Sequence, residues 1–196
     1  MIEYIKGQIV ELTPTELILE CGGIGYSILI SLQSYEAFQG ANQAKVYIHH
    51  YLKEDEELYY GFATKDEREL FRLLISVSGI GVASARMMLS SLSSEEIRQA
   101  ILAEDVNKLK SVKGIGLKSA QRMVLELKDK VLKGEGSEES ALFAKADNSA
   151  TAEEATTALT MLGFSRANIA KVMPAILKEN PAAKVEDIIK AALKRL

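Results

Sequence analysis

Residues 77–88, VSGIGVASARMM, return 35 positions later as VKGIGLKSAQRM at residues 112–123. The copies share Val77/Val112, Gly79/Gly114, Ile80/Ile115, Gly81/Gly116, Ser84/Ser119, Ala85/Ala120, Met88/Met123 and Leu92/Leu127, with Leu74/Leu109 matching upstream. Positions 85, 88, 89 and 92, like 120, 123, 124 and 127, have the i, i+3, i+4, i+7 spacing of one apolar helix face. The doubling predicts two matched units of helix, Gly-Ile-Gly turn and helix.

Such a turn has a definite chemistry. Its glycines can take φ > 0 and remove side chains that would hold a ligand away from the backbone. The isoleucine between them can plug the small core below. Exposed N–H groups and the positive end of the second helix then face outward as an anion site. A phosphodiester fits that site whatever its base, so binding would be independent of sequence. Lys113, Lys118 and Arg122 flank the second turn, and Arg86 lies on the helix after the first. One copy alone would read as an ordinary glycine-containing hairpin. Two copies with local basic charge point to the DNA backbone. No G-x-x-x-x-G-K-[ST] occurs, and GIGVAS and GGIGYS lack the third glycine of a dinucleotide fingerprint.

The net charge of −3 hides a division along the chain. Residues 1–64 hold 3 Lys/Arg against 9 Asp/Glu, residues 65–133 hold 13 against 9, and residues 134–196 hold 8 against 9. The positive segment is the one with the repeat, which suggests one surface for a polyanion and another that avoids it. No apolar run approaches the ~18 residues of a membrane span, and MIEYIKGQIVEL lacks a signal-peptide core. A cytoplasmic protein is expected. The lone Cys21 and adjacent His49 and His50 make neither a disulfide nor a metal-ligand set, and strand packing or a solvated face is their default reading. No cofactor is expected.

Before the repeat, YIKGQIVEL, TELILECGG, YSILISL, AKVYIHHYL and ELYYGFA read as five short strands, with a helical stretch near QSYEAF. They suit a small closed barrel of the oligonucleotide-binding type, although other small barrels fit the pattern too. Helices are expected over Glu67–Val77, Ser84–Leu92, Ser94–Ala103, Val106–Val112 and Lys118–Leu132, with Ser93 and Glu96 as a capping box. Residues 134–151 read as a flexible linker rich in Gly, Ser and Glu. A three-helix domain follows over 152–196, in which Val185, Ile188, Ile189, Ala192, Leu193 and Leu196 share one face. The fold class is therefore α+β and multidomain: a barrel over 1–64, a double helix-hairpin-helix domain over 65–133, and a three-helix domain. Between two strands, Glu54, Asp55, Glu56 and Glu57 form an acidic loop that would repel phosphate; its plain reading is a solvated turn.

Taken together, MIEYIKGQIVEL…GGIGY, KEDEELYYGF…ERELF, the twin hairpins and the MLGF segment resemble the RuvA family of bacterial Holliday-junction-binding proteins over the whole chain. The resemblance implies a homotetramer, with two tetramers able to sandwich a junction, and a role in DNA recombination, repair and the SOS response. It places an acidic pin at Glu54 and Asp55, near the crossover. It also implies that residues 152–196, with Leu162, Gly163 and Phe164 at a helix junction, contact the RuvB ATPase, while the RuvC resolvase cleaves the junction. Core packing is the competing reading for Leu162 and Phe164. The chain itself would be non-catalytic.

Some positions depart from that family's pattern. Val82 and Ala83 stand where proline and lysine are common, and Arg86 either compensates or faces solvent. Lys113 replaces a usual proline and Leu117 a common lysine, while Lys118 is kept. A helix-hairpin-helix glycosylase or nuclease is the enzymatic alternative, for which the segment after the second turn offers only Glu126 and Asp129. A protein adaptor working mainly through its C-terminal helices is the third.

Overall fold

The computed structural model describes residues 2–133, 148–179 and 183–196. The chain divides into two compact units, Met1–Glu138 and Glu139–Leu196.

Strands β1 (Tyr4–Leu12), β2 (Glu16–Cys21), β3 (Ile24–Ile30), β4 (Gln43–Leu52) and β5 (Glu57–Phe62) close a barrel in the order β1-β2-β3-β5-β4. Period-two burial drives closure, with Leu17 and Leu19, Ile28 and Ile30, and Val46 and Ile48 all pointing inward. Helix α1 (Leu32–Phe38) lies between β3 and β4 in the chain and adds Phe38 to this core. Only the β3–β5 pairing is parallel, and it is short: Leu29 opposite Tyr60 and Ile30 opposite Gly61.

Five helices follow: α2 (Lys65–Ile75), α3 (Val82–Ser91), α4 (Ser94–Leu102), α5 (Val106–Lys110) and α6 (Leu117–Leu132). The expected capping box is present at the start of α4, where the Ser93 hydroxyl accepts from the Glu96 amide and the Glu96 carboxylate from the Ser93 amide. One continuous core runs from Tyr60 and Phe62 of the barrel through Phe71 and Leu74 to Leu127 and Val131. Barrel and hairpins are thus packed as a single body.

Two buried charges reinforce the joint. Glu67 accepts hydrogen bonds from the hydroxyls of Ser31 and Ser34 and from the Ala63 amide. Arg68, 1% exposed, donates to the Glu3 carbonyl at 2.8 Å and to the Glu3 and Glu69 carboxylates, under the Tyr47 ring.

His49 lies beside the stacked rings of Phe71 and Tyr60, at centroid distances of 5.3 and 6.5 Å. Burial, and then the charges of Arg72 and Arg68, push its pKa below the ordinary value, against the pull of Glu69. The unfolded chain therefore takes up this proton before the folded one. The His49 contribution is whole above about pH 6.5 and is lost as pH falls. In denaturant titrations from roughly pH 7 to 5, His49→Phe is expected to flatten the decline in midpoint; an unaltered slope would place the proton elsewhere.

In the second unit α7 (Asn148–Met161), α8 (Arg166–Glu179) and α9 (Val185–Leu193) enclose Ala155, Leu159, Ile169, Met173, Ile176, Ile188 and Ala192. Helix α7 begins at Asn148, inside the stretch read as linker; the rest of that stretch lies outside the described residues. Leu193, expected on the buried face of α9, is exposed, because three short helices lack the girth to cover it.

Candidate nucleic-acid interface

The two Gly-Ile-Gly turns have nearly the same backbone. Gly79 and Gly114 sit at φ +92° and +91°, a region open to glycine and strained for other residues. Gly81 and Gly116 are extended N-caps of α3 and α6, at φ −89° and −80°. Neither has a side chain to cap its helix. The first-turn amides at each end are left to an outside acceptor, and the helix dipole favours an anion there. Ile80 and Ile115 are buried beneath their turns, and their amides donate to the Val77 and Val112 carbonyls, so these two shape the turns from below.

The hairpins interlock. A Cβ on Gly79 would lie 3.6 Å from the Ser119 hydroxyl, and one on Gly114 would lie 3.8 Å from that of Ser84. Each serine therefore stands beside the other hairpin's turn, in an approximately two-fold arrangement that unites both turns in one surface. Arg122 fastens it by donating to the Ser78 hydroxyl at 3.2 Å and its carbonyl at 3.4 Å. Paired capping bonds repeat the symmetry upstream: Ser76 donates to the Leu73 carbonyl and Ser111 to that of Lys108. Ser76 and Ser111 also match at an offset of 35, a signal not used in the sequence reading.

Among the described residues, Lys113 and Lys118 are exposed and have no carboxylate partner, whereas Lys108 and Lys128 are paired with Glu96 and Glu104. Arg86 does not simply face solvent. Its Nη1 donates to the Thr15 carbonyl at 3.3 Å, tying α3 to the β1–β2 turn. Glu126 and Asp129 are exposed on α6, without a partner cluster beside them among the described residues.

The acidic loop is the tip between β4 and β5, closed by a Lys53 amide to Glu56 carbonyl bond of 2.8 Å. Glu54 and Asp55 project at its end, exposed. Glu57 belongs instead to β5, where the Tyr59 hydroxyl and then His50 hold its carboxyl below the usual range. His50 stacks on Tyr59, and Cys21 is exposed at the end of β2. In the second unit, Gly163 at φ +99° closes α7 in a Schellman motif, with Phe164 N–H bonded to the Leu159 carbonyl and Gly163 N–H to that of Thr160. Phe164 packs on the core, while Leu162, together with Met161, remains exposed rather than packed.

Barrel and paired hairpins define a tandem helix-hairpin-helix protein with an N-terminal barrel. Comparison with known proteins narrows this. Residues 1–61 match the RuvA N-terminal domain, residues 71–129 the SAM-like helix-hairpin-helix tandem, and residues 150–196 the RuvA C-terminal domain. The chain is 52% identical over 196 residues to the Holliday junction branch migration complex subunit RuvA of Christiangramia forsetii, and 53% identical over 202 residues to that of Bacteroides fragilis. Identity to the Parabacteroides distasonis protein of the same name is 53% over 196 residues. In all three, both chains are covered in full. The chain belongs to the RuvA family. Among the described residues, no helix is long and apolar enough to cross a membrane.

Proposed function

We propose that the protein binds four-way (Holliday) junction DNA by structure rather than sequence, as the DNA-holding subunit of a branch-migration complex. The observation that carries this reading is the pair of interlocked, uncapped helix N-termini with exposed lysines beside them. Phosphate contacts would run through the backbone at Gly79, Gly81, Gly114 and Gly116, supported by Ser84, Ser119, Lys113 and Lys118. Arg122 would act while clamped to the first turn, and Ile80 and Ile115 would act as plugs that shape the turns, since their amides already donate to the Val77 and Val112 carbonyls. The full-length relatives named as junction-complex subunits favour this reading over a glycosylase or nuclease.

The remaining roles complete the mechanism. Four copies would surround a junction, or eight would enclose it, with Glu54 and Asp55 near the crossover to repel the backbones and help separate strands. The second unit would recruit a RuvB motor through Leu162 and its neighbours, while Gly163 and Phe164 shape that corner. ATP hydrolysis would belong to the motor and cleavage to RuvC. The domains would divide as barrel, hairpins, linker and recruiting module.

Neutralising the pin tests the mechanism. Glu54→Gln with Asp55→Asn removes two repulsions worth about 1 kcal/mol each near 4 Å in water. A linear duplex lying across the tip gains from this more than a junction opened around it, so the ratio of junction to linear-duplex affinity in mobility-shift titrations is expected to fall roughly ten- to thirtyfold. An unchanged ratio would remove the role given to the pin.

A further inference from the structure

Beyond Leu29 and Tyr60 the parallel pairing of β3 with β5 stops, although β3 stays paired to β2 as far as Ile24 and β5 to β4 as far as Glu57. The two hairpins diverge there and leave a cleft of about 270 Å³, lined by Tyr26, Ser27, Leu29, Glu57 and Tyr59 among others. This is just under the ~300 Å³ at which pockets take drug-sized molecules, a size suited to one planar group rather than a chain.

The walls are aromatic and already fixed. Tyr26 and Tyr59 meet edge to face at 6.2 Å, and His50 stacks on Tyr59 at 5.0 Å. The Tyr59 hydroxyl donates to Glu57 Oε1 at 2.9 Å, and His50 Nε2 lies 2.9 Å from the same oxygen. The Tyr59 ring is thus held by a stack, an edge contact and a hydrogen bond, so a ligand stacking on it would lose little side-chain entropy. Among the described residues, no donor reaches Glu57 Oε2. That oxygen can accept from a ligand N–H, and its charge turns phosphate away.

We infer that this cleft receives a single unpaired nucleobase, stacked on Tyr59 with its edge toward Tyr26 and an N–H directed to Glu57. The place fits the occupant. Glu57 opens β5 directly after the tip bearing Glu54 and Asp55, so a base released where the pin parts the strands emerges beside it. A carboxylate flanked by aromatic rings selects the base face of a nucleotide over its backbone, the reverse of the hairpin turns. Stacking on aromatic side chains suits every base, so the site does not impose a sequence. The inference rests on the junction reading above.

The test uses the full chain and a synthetic four-way junction carrying 2-aminopurine at the crossover, with a second junction carrying it mid-arm. Wild type is expected to change the fluorescence of the crossover probe and leave the arm probe unchanged. Tyr59→Leu, which keeps an apolar side chain against the barrel, is expected to abolish that change and to weaken junction binding roughly tenfold, with linear-duplex affinity unaltered. Tyr59→Phe retains the ring and should behave as wild type. Should Tyr59→Leu lower the melting temperature sharply, Tyr26→Leu removes the other wall and is read in the same way. Wild-type junction preference with a crossover signal that survives both leucine variants would overturn the base site and leave the junction reading standing. Absence of junction preference in wild type would overturn that reading, and the base site with it.

Discussion

Gly79→Ala combined with Gly114→Ala is expected to lower junction affinity at least a hundredfold while the protein still folds. At φ of +92° and +91°, with no heavy atom nearer than 3.6 Å to the added carbon, the penalty is in the backbone and not in packing. It amounts to about 1–3 kcal/mol per site, and each turn relieves it by rotating its amides away from the phosphate. A hydrogen bond to a charged group contributes about 1.5–3 kcal/mol. Losing one at each turn then corresponds to a factor of roughly a hundred or more. Fluorescence anisotropy with a labelled junction reads the loss, and a thermal melt verifies folding. Between the single variants, Gly114→Ala should be the more damaging, since Lys113 and Lys118 act only where the second turn keeps its shape. Wild-type affinity in the double variant would show that the turns are not the grip.

Arg68→Ala carries the largest expected cost in stability. The guanidinium sits fully inside the joint between β1, β4 and α2, bonded to the Glu3 carbonyl and to the Glu3 and Glu69 carboxylates. Truncation leaves a cavity and breaks charge-assisted hydrogen bonds. The combined effect should be about 3–5 kcal/mol. For a chain of this size that lowers the melting temperature by on the order of 10 °C. Arg68→Lys keeps the charge without the fork and should fall between the two. A melting temperature within a degree or two of wild type would show that the barrel–hairpin joint rests on its apolar core alone.

Legibility from sequence followed the range of the interactions. Strand β1 occupies the nine residues read as YIKGQIVEL, because alternation and β-branching are local signals. The hairpin cores, with Leu74/Leu109, Val77/Val112, Ile80/Ile115, Ala85/Ala120 and Met88/Met123 buried in matched pairs, were legible because a repeat doubles the signal. The crossing of the hairpins was not. Nothing local to Arg122 or Ser78 says that they meet, since 44 residues separate them and the contact exists only once two helices pack. Nothing in KDEREL marks Glu67 and Arg68 for burial, which depends on Ser31, Ser34 and Glu3 arriving from the barrel. Helix α7 starts early because Ala150 and Ala152 favour helix even in a segment with the composition of a linker. Leu162 follows the opposite course: its apolar side chain suggested a core residue, and a glycine-closed turn leaves it in solvent.

The most direct measurement is the affinity of the full chain for a synthetic four-way junction and for linear duplex with the same arm sequences, across a salt series. A preference of at least tenfold for the junction, retained when the arm sequences are permuted and with both affinities falling linearly in log–log against salt as counterions are released, is the expected result. Equal affinity for the two DNAs at every salt concentration would contradict structure-specific binding and reduce the hairpins to a general grip on duplex.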